Sequence, residues 1–510
     1  MTGISILNGH AILPGADKAE PLNVHIENGK IASVGKAVPI ANQLDASDLI
    51  IAPGIIDLGV FKTDKPAFRF GGITRAALMP DQSPVHDDPA TVRFAALKGK
   101  PDLWVHPLAA ATQGLNGLQM AEIALMKEAG AVGVATGRKW IADSGILLRI
   151  MRYCHALDLP VFVHSEDAGL SGNAVATAGE TATLLGLSSA SPITEALAIA
   201  RDLLLAEESG AHVHFRQVTT ERGLDLIRAA KAKGLRITCG ITPGHLFLSD
   251  NAVSDFRTFA HLSPPLRSES DRLACIAAVA DGTIDVIASG HDPRGPEDKR
   301  LPYSESAPGM AGAETLLALS LNLVRDNVIS TGRLFELLAS NPAKILGLNA
   351  GQIAEGYEAD LILVDPDAPW QVDGDRMAGT APARLSRRAS GTRAQPAVEH
   401  ARGRFRARTR RPCASPRQRP LAERARRVPV PRMDHAGGQP RAGQEARQAR
   451  AGPDGEAAAA RRSGQSLERL VRAFRRASAG ALRGAVRRHR DAAPGGGTGG
   501  RRGAGALDIG

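Results

Sequence analysis

The apolar positions of this chain fall into short runs separated by amphipathic stretches, and the pattern changes twice along its length. Up to about residue 51 it alternates β-rich segments with turns. Val24, His25, Ile26 and Glu27 run into Asn28-Gly29-Lys30 and then Ile31-Ala32-Ser33-Val34. Asn-Gly tolerates the positive φ that a two-residue loop demands, so this segment predicts a β-hairpin. Residues 47–52 predict another strand, closed by Pro53-Gly54.

From about 53 to 345 eight mostly apolar runs follow, at 55–61, 73–79, 102–106, 131–135, 161–164, 212–216, 236–239 and 284–289. Runs of this kind suit parallel strands buried on both faces. Helical periodicity separates most of them, at 118–129, 145–157, 193–209 and 220–233. Eight such units predict an α/β fold, a (β/α)8 barrel of TIM type, with functional side chains at the C-terminal ends of the strands. A β-rich piece returns at 356–365, so residues 1–52 and 346–380 are expected to build one small composite β-domain beside the barrel, 53–345. The stretch 62–72 between the first two runs is short for a parallel crossover and contains Pro66, Gly71 and Gly72. The expectation there is an irregular connection without a helix.

Charge divides the chain. Residues 381–510 hold 31 Arg, no Lys and nine Asp or Glu, a net +22, whereas residues 1–380 carry a net −12. This Arg-rich, low-complexity tail reads either as a disordered arm that neutralises nucleic-acid phosphates or as a shifted reading frame. The absence of Lys favours the second, because the body uses Lys thirteen times and phosphate contact does not require a guanidinium. A nucleic-acid partner therefore ranks last. The four cysteines, Cys154, Cys239, Cys275 and Cys413, form no C-x-x-C pair and suit buried thiols in a reducing compartment. No secretory leader or bilayer-length apolar run is visible, so a cytoplasmic location without a membrane partner is expected.

The motifs come in a characteristic order. Pro53-Gly54-Ile55-Ile56-Asp57 is followed by Gly71-Gly72-Ile73-Thr74 leading to Met79-Pro80, then Val163-His164-Ser165-Glu166-Asp167. Val218-Thr219-Thr220, Ile241-Thr242-Pro243-Gly244-His245 and Ser263-Pro264-Pro265-Leu266-Arg267 come next. Ser289-Gly290-His291-Asp292-Pro293-Arg294, Pro308-Gly309-Met310-Ala311-Gly312 and Asn341-Pro342-Ala343-Lys344 complete the series. In this order, across nearly all of residues 20–372, the chain resembles the dihydroorotases of the cyclic amidohydrolase superfamily. The resemblance implies interconversion of carbamoyl aspartate and dihydroorotate in pyrimidine synthesis, by a metal-bound hydroxide and a carboxylate that moves the proton.

The residues that should hold the metal depart from the family pattern. Gly59 and Phe61 stand where the first strand's two histidines belong, and neither offers a lone pair. The substrate arginine falls near Thr63, and the metal-bridging aspartate at Thr136 or Gly137. Gln217 replaces a histidine, and Gly290 replaces the aspartate that serves as ligand and general base, so no catalytic residue is intact. His164 is the sole retained ligand position. Asp81, Ser263, Arg267 and His291 are expected remnants of substrate binding. One histidine does not make a zinc site, so no cofactor is expected. The resemblance then implies a non-catalytic dihydroorotase-like subunit, needed for assembly of aspartate carbamoyltransferase and part of a hetero- or homo-oligomer. The alternative is an active cyclic amidohydrolase with zinc on a rearranged set such as His245, His291 and Asp292. His212 and His214, an H-x-H pair on one strand, read as structural hydrogen-bonding groups.

Overall fold

The computed structural model describes residues 3–35, 42–100, 102–368 and 377–379; the arginine-rich stretch 381–510, with both readings of it, lies outside the described residues. The N-terminal segment forms a sheet centred on β1 (Ile4–Ala11), which pairs antiparallel with β2 (Glu20–Glu27). β2 turns through Asn28 (φ 52) and Gly29 (φ 76) into β3 (Lys30–Val34), the two left-handed residues that such a hairpin needs. β4 (Gln43–Asp45) and β5 (Ile50–Pro53) lie parallel to β1.

The barrel begins at once. β6 (Ile55–Val60), β7 (Ile73–Leu78) and β8 (Trp104–Pro107) pair in parallel, and every residue of β6 and β7 is buried. β9 (Ala109–Ala110) pairs with β10 (Val134–Ala135), and that with β11 (Val161–Val163). Between β8 and β9 only Leu108 intervenes. Its N–H bonds to Leu78 O at 2.9 Å, while Ala109 N–H bonds to Gly133 O at 2.9 Å, so one bent strand joins both arcs. β12 (Ala176–Thr177) and β13 (Ser189–Ala190) form a small parallel pair in the excursion after β11. β14 (Val213–Phe215), β15 (Ile237–Ile241) and β16 (Val286–Ile287) continue the ring.

The ring closes between β16 and β6, where Phe61 N–H bonds to His291 O at 2.9 Å and Ser289 N–H to the Asp57 carboxylate at 3.0 Å. The fold is thus a TIM-type barrel with a small sheet built from both ends of the described body. β17 (Leu361–Val364) completes that sheet, antiparallel to β5.

Helices Ser144–Ala156, Ile193–Ser209, Glu221–Ala232 and Glu269–Ala280 cover the barrel. Their starts follow from side-chain chemistry. Asp143, Thr220 and Ser268 each accept an amide N–H of the first turn, which otherwise has no partner inside the helix. Barrel and small sheet are bolted by Arg75 of β7, which is 3% exposed. Its guanidinium donates to Asp360 at 2.8 Å and also pairs with Glu358. Among the described residues no helix is long and apolar enough to cross a membrane.

Three expectations are corrected. The connection 62–72 does hold a helix, Lys65–Phe70. Pro66 lies in its first turn, where no N–H is needed, Asp64 caps it, and Gly71 ends it. The helix expected over 118–129 is confined to Ile123–Glu128, because residues 119–121 pair back on 111–113 instead: Gln113 N–H bonds to Gln119 O at 2.9 Å and Ala121 N–H to Ala111 O at 3.3 Å. The strand expected at 47–52 starts only at Ile50, after Asp48 turns at φ 65.

Candidate functional site

The C-terminal ends of the barrel strands form a mouth whose centre is aromatic. Phe61, the first residue past β6, is 7% exposed. Two guanidinium carbons lie over its ring, Arg138 at 4.0 Å and Arg216 at 5.0 Å. Each is within range of cation–π attraction. Arg138 follows β10, and Arg216 directly follows β14.

Arg138 is the hub of one side. Its backbone N–H donates to Asp81 Oδ1 at 2.9 Å, and its Nη2 donates to Asp292 Oδ2 at 2.8 Å. Arg294 Nη2 donates to the same Asp292 oxygen at 2.7 Å. Arg216 is the hub of the other side, 5% exposed, and its Nη2 donates to His164 Nδ1 at 3.0 Å. That leaves the proton of a neutral His164 on Nε2, which faces Glu166 Oε2 at 3.5 Å. Burial pushes the Glu166 carboxyl up, but its hydrogen bond to His164 and the charge of Arg267 outweigh that and hold it below its ordinary value. Burial also lowers the Arg216 guanidinium to about 10, so it stays charged at neutral pH.

Deeper in, Arg267 donates to Glu166 at 3.1 Å, to Thr219 Oγ1 at 2.9 Å and to Thr177 Oγ1 at 3.2 Å. Glu195, fully buried on the helix Ile193–Ser209, accepts the N–H groups of Thr219 and Thr220 at 2.8 Å each. Charged and hydroxyl groups therefore run from Asp292 to Glu195, linked across the Phe61 ring.

The described geometry has relatives. An amidohydrolase family model matches residues 85–387. A dihydroorotase of Pelobacter propionicus is 36% identical over 390 residues, 73% of this chain and 92% of that protein. A dihydroorotase-like protein of Pseudomonas aeruginosa is 36% identical over 380 residues, 71% of this chain and 90% of that one. This chain belongs to the dihydroorotase family. Among solved structures, the L-hydantoinase (dihydropyrimidinase) of Arthrobacter aurescens shares the fold with a TM-score of 0.67 at 22% identity, covering 78% of this chain and 95% of that one.

Dihydroorotases and their amidohydrolase kin typically depend on zinc. The side chains at this dihydroorotase-type mouth do not fit such a metal. Among the described residues no three His, Cys, Asp or Glu side chains converge as ligands would. Gln217 Oε1 and Asp81 Oδ2 are buried without a hydrogen-bond partner, but two oxygens are too few. The seam also leaves little room for side chains at Gly59 and Gly290, two positions where the family resemblance leads one to expect ligands. A Cβ on Gly59 would lie 3.0 Å from Ala288 Cβ, and one on Gly290 (φ 60) would lie 2.9 Å from Thr242 Cγ2. Asp57 stitches this seam, accepting from Gly59 N–H at 3.1 Å and from Ser289 N–H at 3.0 Å. Burial raises its carboxyl.

The structure places the remaining sequence candidates as follows. Asp81 pairs with Arg138, and Arg267 is committed to Glu166 and Glu195. Ser263 is exposed, and Thr63 Oγ1 is buried without a partner. His291 packs edge-on against Phe68 at 5.3 Å and accepts Ala313 N–H on Nδ1 at 3.2 Å, so its Nε2 carries the proton and offers no lone pair. Burial lowers it to about 4. The alternative set is not brought together. His245 uses Nδ1 on Thr242 Oγ1 at 2.8 Å and Nε2 on Pro264 O at 3.0 Å. Asp292 lies instead under two arginines. His212 and His214 both bond to Thr238 Oγ1, at 3.2 and 3.0 Å.

Sequence reading missed Arg138, Arg216 and Glu195. The available signal was two cations in the segments where the resemblance places a bridging aspartate and a histidine, Thr136-Gly137-Arg138 and Arg216-Gln217.

Proposed function

We propose that this dihydroorotase-family protein does not itself open or close the dihydroorotate ring and serves as a non-catalytic subunit in pyrimidine biosynthesis. The observation that supports this most is the mouth's centre, where Phe61 lies against two arginine side chains instead of a ligand set. Metal-assisted hydrolysis needs at least three protein donors and an open position, and the residues at the strand ends supply neither. The partner we propose is the catalytic subunit of aspartate carbamoyltransferase, whose assembly the protein would support; the resemblance to dihydroorotase-like subunits is the basis for it.

The test has two arms. Purified full-length protein is assayed for zinc and for dihydroorotate hydrolysis, with little of either expected. Stoichiometric zinc with turnover overturns the non-catalytic reading. Tagged protein is then recovered from its native cells; the carbamoyltransferase is expected with it, and its absence removes the partner.

A second reading, an active cyclic amidohydrolase with a rearranged zinc site, draws support from relatives named dihydroorotase at 36% identity. Ligands for that site would have to come from side chains now engaged elsewhere, as both nitrogens of His245 are.

A further inference from the structure

The misfit between this mouth and a metal has a physical sequel. Asp81, Glu166 and Asp292 still bring carboxylates to the strand ends, and like charges in a poorly hydrated cup repel unless a cation sits among them. The cations present are guanidiniums. The Arg138 guanidinium lies 3.5 Å from Asp81 and donates to Asp292 at 2.8 Å, residues 57 and 154 positions away in the chain. Arg216 bonds to His164, which leans on Glu166. Both flank the ring of Phe61, which stands at a lost ligand position.

We propose that Arg138 and Arg216 take the place of the metal as the fixed cations of the barrel mouth, tying the ends of β6, β7, β10, β11, β14 and β16 into one network. This rests on the reading that the mouth takes no metal. Two neighbours limit what each arginine does alone: Arg294 also pairs with Asp292, and Arg267 pairs with both Glu166 and Glu195. Arg216 is almost fully buried, reaches Glu166 only through His164 and leaves its Nε without a hydrogen-bond partner; Arg138, its side chain 33% exposed, meets Asp81 and Asp292 directly.

The test is thermal unfolding of the full-length protein. Wild type should melt at the same temperature with and without EDTA. Arg216→Met, which keeps bulk and removes charge, should lower Tm by about 5 °C, the scale expected when a buried charge partner is lost from a body of this size. Arg216→Lys should lose less. Arg216→Ala should recover most of its loss in low-millimolar guanidinium chloride, but not in equal sodium chloride or urea. An Arg216→Met protein as stable as wild type, or an Arg216→Ala protein indifferent to guanidinium, overturns the proposal. Stoichiometric zinc in wild type overturns instead the reading on which it rests.

Discussion

At the scale of single residues, the departures from the family pattern are legible in the sequence while the contacts that now fill the mouth are not. Gly59, Phe61, Gln217 and Gly290 can be seen to lack the right donors from position alone. That Arg138 and Arg216 converge on the Phe61 ring depends on how β6, β10 and β14 sit side by side, which no local pattern reports. Restoring one lost ligand should therefore fail. Gly290→Asp puts a Cβ at positive φ and against Thr242, so it should cost about 1–3 kcal/mol in a urea melt and bring in no zinc. Asp57 allows a pH prediction. Its folded pKa is raised by burial, so its contribution is fullest below the ordinary carboxylate range and is lost as pH rises through the native value. Asp57→Asn should flatten the stability-versus-pH curve over that window; an unchanged curve would show that this carboxyl does not titrate with folding.

Among the secondary-structure elements, buried strands and capped helices were readable because their signals are local. The apolar run at 55–61 became β6, and the period over 193–209 became a helix with those bounds. Lys65–Phe70 is hard to see in the sequence because Pro66 reads as a breaker, although Pro is compatible with a first helical turn. The clasp between barrel and small sheet was also invisible, since Arg75 and Asp360 are 285 residues apart. Arg75→Ala removes the buried guanidinium that ties Asp360 and Glu358 to the barrel. We expect a loss of about 3 kcal/mol by chemical denaturation, with the small sheet becoming the first segment cut in limited proteolysis. Equal protease resistance in mutant and wild type would mean that the sheet is held by its apolar contacts alone.

For the whole molecule, the division of charge at about residue 380 is the plainest feature of the sequence, and the order of motifs alone carries the family resemblance. A shifted reading frame beyond codon 380 predicts that another frame of the gene encodes a dihydroorotase-like ending; finding none in either alternative frame would return the basic arm to consideration. The central claim concerns the mouth itself: a barrel that kept the family's strands and filled its metal position with an aromatic ring and two guanidiniums. Its most direct test is the zinc content of full-length protein purified from zinc-supplemented culture without chelators. The account predicts far less than one zinc per chain, and one or two tightly held zinc ions per chain would contradict it.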